Sequence, residues 1–564
     1  MSIISRLVEE ERVQEADEAR TVLQDCLFLG LVAFLSVVFY VSRLGFYSDD
    51  WVFLSLLRQA NSQSFAGLYQ ALYAGDIVIR QRPVQMVYLI LFYKLFGLHP
   101  FFYHLANSII LLISAILFYL VLRQFGQRRE IALAISIVYL LLPHYSTDRF
   151  WIAAHQATFS IAFYFLSLYA DLRAFREYPN HLIRWKLLSV LALILSGLSY
   201  EVAMPLFVLH PFLIWYGARP IDATETNRPL NRNKFFSLFA VNLLALFFLI
   251  AFKGLITVRT NVETGFIAHL MRVMIGALRV SFGTYGAALP YIVGWILFHH
   301  PNWLLLLLSG LTGLFIFLYL YRITGQPAEF NTRGWLVFIV LGLLIFGFGY
   351  AIFAVNADVW FTSTSLGNRV AIAAAIGVAI VFVGLIGWIC SILPLKNWRQ
   401  ALFCLFVSIL GATGLLINNT LASFWITAYT GQQRILNDIR ENVPALPAGS
   451  TFILDGICLE QGGAYLFTGK RDLTSTLWMT FGDQSLNATV LSSSPHIGEQ
   501  GLSILTYNNN DLYPYGKDLL IYNFAQKRLY PLTDANTARQ YFESTDFVPE
   551  KDCPPGFAWG WNEQ

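Results

Sequence analysis

Long apolar runs, nearly free of charge, recur from one end of this chain to residue 421. Such runs cover about 26–40, 100–122, 131–147, 150–170, 187–200, 202–217, 235–256, 302–321, 334–355, 370–393 and 401–421. Stretches of 17–25 apolar residues are what a bilayer demands of a helix that crosses it. A soluble enzyme carries about 25% charged residues, whereas this chain of 564 residues has 13% charged and 56% hydrophobic. Disorder, a coiled coil and a disulfide-dense secreted domain are excluded on the same ground. A polytopic α-helical membrane protein remains. The net charge of +3 carries no nucleic-acid signal.

The first 25 residues are charged and acidic, including Glu9, Glu10, Glu11, Glu15, Asp17 and Glu18. A secretory signal starts short and basic, so Cys26–Tyr40 reads as an uncleaved first span. Lys and Arg in short loops set orientation. Arg123, Arg128 and Arg129, the loops 172–186 and 218–234, Arg322, Arg333, Lys396 and Arg399 form one basic set, placed in the cytoplasm with the N-terminus. Parity then makes 187–217 a hairpin turning at Glu201 and lays 84–98 along the outer surface as a short helix. The stretch 257–301 starts and ends outside, holding either outer-face helices or one further hairpin. Eleven crossings follow, with thirteen as the alternative, and both put residues 422–564 outside. The expected organisation is a cytoplasmic segment 1–25, a membrane domain 26–421 with a first outer loop 45–99, and a small extracytoplasmic α/β domain 422–564. In that tail a connecting helix is expected near 422–443, with strands at Thr451–Leu454 and Leu502–Tyr507 and a hairpin pairing Leu519–Phe524 with Arg528–Leu532.

Ionisable groups are costly near a bilayer, so their placement is informative. In this topology they gather on the outer face: Asp49 and Asp50 after the first span, Arg80 and Arg82, His104 and Asn107, Asp148, Arg149 and His155, Glu201, and Asn368-Arg369. Each has a plain structural role open to it. The aspartates suit a helix cap, Arg82 can snorkel to headgroups, and His104 and Asn107 can bond between helices. Glu201 resists that account, because it interrupts 187–217, which is otherwise free of Asp, Glu, Lys and Arg. The middles of the spans are almost bare, unlike a transporter with charges on broken helices at the midplane. A carboxylate can serve as general base for an acceptor hydroxyl, and arginine forks suit phosphate oxygens. An apolar, lipid-facing groove suits a long isoprenoid tail. Together these describe glycosyl transfer from a polyprenyl-phosphate sugar.

The motifs also resemble the GT-C superfamily of integral-membrane glycosyltransferases, in its protein O-mannosyltransferase-like and related bacterial branch. The resemblance rests on Ser48-Asp49-Asp50 after the first span, Arg82-Pro83 through Leu95-Phe96-Gly97, and His104-Leu105-Ala106-Asn107. It continues through Pro143 with Asp148 and Trp151, Ser199-Tyr200-Glu201 with Pro205, and Asn368-Arg369. It covers roughly residues 30–220 well and 350–440 weakly. The chain departs from the pattern in having Asp-Asp where O-mannosyltransferases have Asp-Glu, Tyr200 in place of a lysine, and the acid after Pro143 displaced by one position. No tetratricopeptide array follows. The resemblance implies an inverting sugar transfer at the outer face of a bacterial plasma membrane, to a protein, lipid or glycan acceptor. Asp49 would be the base and Asp50 would orient it. Arg82 and Arg369 would hold the phosphate, with His104, Asn107, Asp148 and Glu201 shaping the pocket. No cofactor is required by the motifs, and a divalent metal stays open because some relatives use one. A lipid-diphosphate-dependent polysaccharide polymerase or ligase is the competing enzyme, and a transporter the competing non-enzyme. Of the five cysteines, Cys26, Cys390 and Cys404 fall in spans, while Cys458 and Cys553 are placed to bridge in an oxidising compartment.

Overall fold

A computed structural model describes residues 3–176, 181–217, 232–256, 265–324, 332–355, 360–394, 396–491, 495–506 and 509–545. Most of the expected basic loop 218–234, and Cys553, lie outside the described residues. The membrane part begins with α1 (Ile3–Val37), α2 (Asp49–Arg58), α3 (Phe65–Gly75), α4 (Pro83–Phe96), α5 (Pro100–Gln124) and α6 (Arg129–Leu141). It continues with the one-turn α7 (Thr147–Phe150), α8 (His155–Arg176), α9 (Leu182–Ser199), α10 (Leu206–Gly217), α11 (Arg232–Ile256) and α12 (Phe266–Leu278). Then come α13 (Leu289–His299), α14 (Trp303–Ile323), α15 (Thr332–Tyr350), α16 (Ile372–Ile392) and α17 (Arg399–Asn442). The protein is an integral, multi-pass membrane protein by this architecture and composition.

Nine helices among the described residues are long and apolar enough to cross a bilayer. Eight coincide with expected spans; the ninth, Phe266–Ala287, falls in the stretch 257–301 left ambiguous by sequence. Three expected spans are helices that fall short of that standard. The helix expected over 131–147 stops at Leu141, because Pro143 removes a donor and excludes α geometry from the residue before it. The chain resumes as α8 only at His155, and α8 carries Asp171, Arg173 and Arg176. The helix α10 has 12 residues with Pro211 inside. The irregular stretch between α6 and α8 is buried throughout. That suits irregular backbone at membrane depth, which is tolerated only when protein covers it or it lines a cavity.

The helix α16 is the centre of the bundle, with 89% of its most apolar window buried against 28% for α14 and α15. Close backbone approach makes this packing: a Cβ on Gly377 would run into the Gly342 carbonyl of α15. Peripheral helices expose apolar stripes, such as Leu23, Leu27 and Leu31 on α1. The 14 residues of α4 span only about 21 Å at 1.5 Å per residue, and expose Val87, Leu91 and Leu95 along one face. Two polar networks brace the end of the bundle away from α2. Arg129 donates to Asp25 at 2.8 Å through two nitrogens, and Lys186 and Asn242 both donate to Asp171.

The tail opens on the connecting helix expected near 422–443. The last span and the connecting helix are one element, α17, whose 44 residues run about 66 Å, twice what a bilayer core needs. Its second half packs on β2 (Glu460–Gln461) and β3 (Ala464–Tyr465). The parallel core is β1 (Thr451–Asp455) between β4 (Asn487–Val490) and β8 (Leu519–Asn523), linked by α18 (Lys470–Phe481). The expected hairpin is present as β8 with β9 (Arg528–Pro531), antiparallel. A separate antiparallel sheet comprises β5 (His496–Ile497), β6 (Gly501–Thr506) and β7 (Asn509–Pro514), and α19 (Ala535–Ser544) follows. One apolar core unites Trp51 and Leu54 of α2 with Trp425 of α17, Phe452 of β1 and Leu473 of α18. The tail is therefore fused to the first loop. Cys458 is disulfide-bonded and Cys26, Cys390 and Cys404 are free thiols.

Candidate active site

The two aspartates of the first loop open α2 and divide into different environments. Ser48, just before them, has φ 47 and ψ −121, an unusual backbone for a residue with a side chain. Asp50 holds this turn in place. Its Oδ2 accepts the Tyr47 N–H at 2.9 Å and its Oδ1 accepts the Ala153 N–H at 2.7 Å. Trp151 Nε1 donates to the Tyr47 carbonyl, and the Tyr47 hydroxyl donates to the Trp425 carbonyl of α17. Asp50 is buried away from the cavity, and burial pushes its carboxyl well above the ordinary range despite the backbone donors. Asp49 instead keeps 36% of its side chain open, into a cavity of about 340 Å³.

The cavity has an acidic end and a cationic end. At the acidic end stand Asp49, Asp76 and Arg471. Enclosure by protein pushes the Asp49 carboxyl up; Arg471, Arg369 and Arg82 pull it back, and Asp76 adds to the rise. At the other end Glu201 accepts Arg82 Nη2 at 2.7 Å and Lys253 Nζ at 3.0 Å. Burial alone would raise Glu201, but these two cations outweigh it and hold its carboxyl well below the usual range. Burial opposes the Arg82 charge and Glu201 overrides it, so Arg82 stays firmly cationic. Its guanidinium lies 4.5 Å over the Tyr200 ring. Arg369 stacks at 4.8 Å over the Trp151 ring, and among the described residues it makes no ion pair with a carboxylate. Its N–H fork is thus left for a ligand.

Four of the expected residues, Asp49, Arg82, Glu201 and Arg369, line this one cavity, although they come from four separate parts of the chain. The other expected residues stand behind its wall. Asn107 Nδ2 donates to the Asp148 carbonyl at 2.7 Å, and His104 Nε2 lies 2.9 Å from the Gly45 carbonyl. Asp148 is fully buried, with neither carboxylate oxygen hydrogen-bonded among the described residues. Burial pushes it well above the ordinary range, opposed by Arg369 and Arg149. Asn368 accepts the Thr147 N–H at 3.1 Å and donates to the Ser363 carbonyl, tying the Arg369 segment to the broken stretch after α6. Sequence reasoning missed Lys253, Asp76 and Arg471. Lys253 carried a usable signal, being the one charged residue in 235–256, as Glu201 is in its own run. Arg471 carried none.

No protein-family model matches the chain, and no curated protein matches it. Among solved structures, the crystal structure of ArnT from Cupriavidus metallidurans bound to undecaprenyl phosphate matches with a TM-score of 0.36 and 15% identity. That match covers 76% of this chain and 82% of the other.

The donor set does not suit a metal ion. No three His, Cys, Asp or Glu side chains cluster among the described residues. Of the carboxylates lining the cavity, Asp49 and Asp76 share Arg471, while Glu201 is engaged by Arg82 and Lys253. What the arrangement offers is a carboxylate, Asp49, open to the same cavity as the fixed cations Arg82 and Arg369. That is the electrostatic layout required when a nucleophile loses a proton and a leaving group gains negative charge.

Proposed function

We propose that this protein is a membrane glycosyltransferase of GT-C type, moving a sugar with inversion from a polyprenyl-phosphate donor to an extracytoplasmic acceptor. The observation that carries the proposal is that Asp49 shares one cavity with the cations Arg82 and Arg369, with Lys253 held behind them on Glu201. In the reaction Asp49 removes the proton of an acceptor hydroxyl as that oxygen forms a bond to the anomeric carbon. The bond from that carbon to the phosphate oxygen breaks on the opposite face. The electron pair leaves with the lipid phosphate, whose charge Arg369 and Arg82 take up, with Lys253 adding its charge from behind Glu201. Glu201 keeps Arg82 and Lys253 together before the phosphate arrives, and Asp148 supports Arg369 from behind. Lysine and arginine here act as fixed counter-charges that need no reorganisation during the reaction. The order of motifs along the sequence supports the same reading. The cytoplasmic N-terminus, the outer-face cavity and the division into an N-terminal segment, a membrane domain and an outer α/β domain belong to this proposal.

The test is binding to the full-length protein in nanodiscs, comparing polyprenyl monophosphate with polyprenyl diphosphate. Binding of the monophosphate that is lost in Arg369→Ala supports the transferase. Preference for the diphosphate, or binding indifferent to Arg369, refutes it in favour of a polymerase or ligase or a non-enzymatic role.

A further inference from the structure

The acidic end of the cavity contains one group that comes from outside the membrane bundle. Arg471 is the second residue of α18 in the C-terminal unit, more than 390 residues along the chain from Asp76. Its Nη1 lies 3.9 Å from Asp49 Oδ1, and its Nη2 donates to Asp76 Oδ2. Asp76 is itself fixed, because its Oδ1 accepts the N–H groups of Val78 at 2.8 Å and Ile79 at 3.0 Å.

The base of Arg471 is equally well held. Asp472 Oδ1 accepts the Gly469 N–H at 3.0 Å and its Oδ2 accepts the Thr468 hydroxyl at 2.8 Å, closing the turn before α18. The helix α18 packs along α2, the helix that bears Asp49. Gln484 Nε2 donates to Gln59 Oε1 at 2.7 Å just beyond the end of both helices. A lone surface ion pair contributes little. Here, though, one guanidinium is set between two carboxylates by a packed helix, at the edge of the cavity.

We propose that Arg471 is a positioning residue of the active site: by bridging Asp49 and Asp76 it fixes the proposed base, so that the C-terminal unit is a working part of the site. This rests on the reading of Asp49 as base. The groups facing Asp49 are Arg471 from α18, Asp76 from the end of α3, Arg82 before α4, Arg369 before α16, and Asp50 on its own helix. Arg471 favours the ionised base and Asp76 opposes it. Their removal should therefore move Asp49 in opposite directions, which a purely structural tie between two units would not do.

The experiment reads Asp49 directly, without an assay of transfer. Infrared difference spectra between each variant and the same variant carrying Asp49→Asn follow the protonated carboxyl band against pH, using the full-length protein in nanodiscs. Arg471→Gln should raise the Asp49 midpoint by on the order of one pH unit, the low end of the effect of a neighbouring guanidinium. Asp76→Asn keeps the acceptor for Val78 and Ile79, removes the like charge, and should lower the midpoint. Arg471→Lys should restore part of the Arg471→Gln shift. An Arg471→Gln midpoint equal to that of the unsubstituted protein overturns the proposal. So does a shift in the same direction for Arg471→Gln and Asp76→Asn. Polyprenyl monophosphate binding, measured on the same samples, confirms that each variant is folded and separates the two claims. Failure of the unsubstituted protein to bind would sink the transferase reading while the Asp49 titration still decides the role of Arg471.

Discussion

Replacing Glu201 by glutamine should destabilise the protein and at the same time raise its affinity for a phosphate. Glu201 joins Arg82 and Lys253 at 2.7 and 3.0 Å. At about 3 Å and an effective dielectric of about 20, each contact is worth roughly 5 kcal/mol before desolvation. The side chains are 15% exposed for Arg82, 25% for Glu201 and 10% for Lys253, so desolvation offsets most of that gain. Removing one partner of a buried pair costs roughly 3–5 kcal/mol. Glutamine keeps one acceptor oxygen and the cavity admits solvent, so about 3 kcal/mol is expected here. The pH dependence has a defined sign. Glu201 is held below its unfolded value of about 4.3, so its contribution is full above that value and lost as pH falls through the folded one. The gap between the parent protein and Glu201→Gln should thus be full at neutrality, begin to narrow below about pH 4 and close only as pH falls through the folded value. Unfolding of the full-length protein in nanodiscs, followed by tryptophan fluorescence across a pH series, measures it. In the variant, Arg82 and Lys253 face each other without their counter-charge, so added polyprenyl monophosphate should raise its unfolding midpoint more than that of the parent. Equal stability of the two proteins at pH 7, or a gap unchanged at pH 3, would refute the clamp. Equal stabilisation by the lipid would refute its meeting the phosphate.

Asp49→Asn should reduce transfer by about 10²–10⁴-fold while leaving polyprenyl monophosphate binding intact, measured as single-turnover transfer beside equilibrium binding. Because enclosure raises Asp49, transfer in the parent protein should fall as pH drops through a midpoint above the usual carboxylate range. Arg369→Lys should weaken monophosphate binding by about tenfold or more, since an ammonium cannot stack on Trp151 and present a planar fork together; a salt titration of binding tests it. Cys458→Ser should lower the stability of the C-terminal unit by about 2–4 kcal/mol. Non-reducing peptide mapping should link the Cys458 peptide to that of Cys553.

Much of the fold was legible because the bilayer leaves a chain few options. Backbone polar groups in lipid must be satisfied within the segment, so apolar runs become helices. Eight of the expected spans correspond to helices of crossing length. The hairpin turn at Glu201 was legible from an isolated charge, and the β8–β9 pairing from its turn and alternation. The reading failed where tertiary burial replaced lipid as the surroundings. Residues 142–154 look like parts of two spans by composition, yet Pro143 ends the first helix and the broken stretch is paid for by partners such as Asn107 and Asn368. That the last span and the connecting helix expected near 422–443 form one element was not legible, because a change of composition need not interrupt a helix that continues from lipid into protein.

The sequence by itself determined that this chain lives in a membrane, which runs become helices, and that ionisable residues keep to the ends of the apolar runs. Those properties depend on local composition and on the cost of burying charge. Tertiary structure decided which of those residues share a cavity. It withdrew Asp50, His104 and Asn107 to brace the backbone, brought in Asp76 and Arg471, and set Lys253 behind Glu201. Contacts between residues hundreds of positions apart leave no local trace in composition or periodicity. Arg471 reaches Asp49 only because α17 carries its helix out of the bundle and an apolar core shared by Trp51 and Leu473 seats that helix on α2.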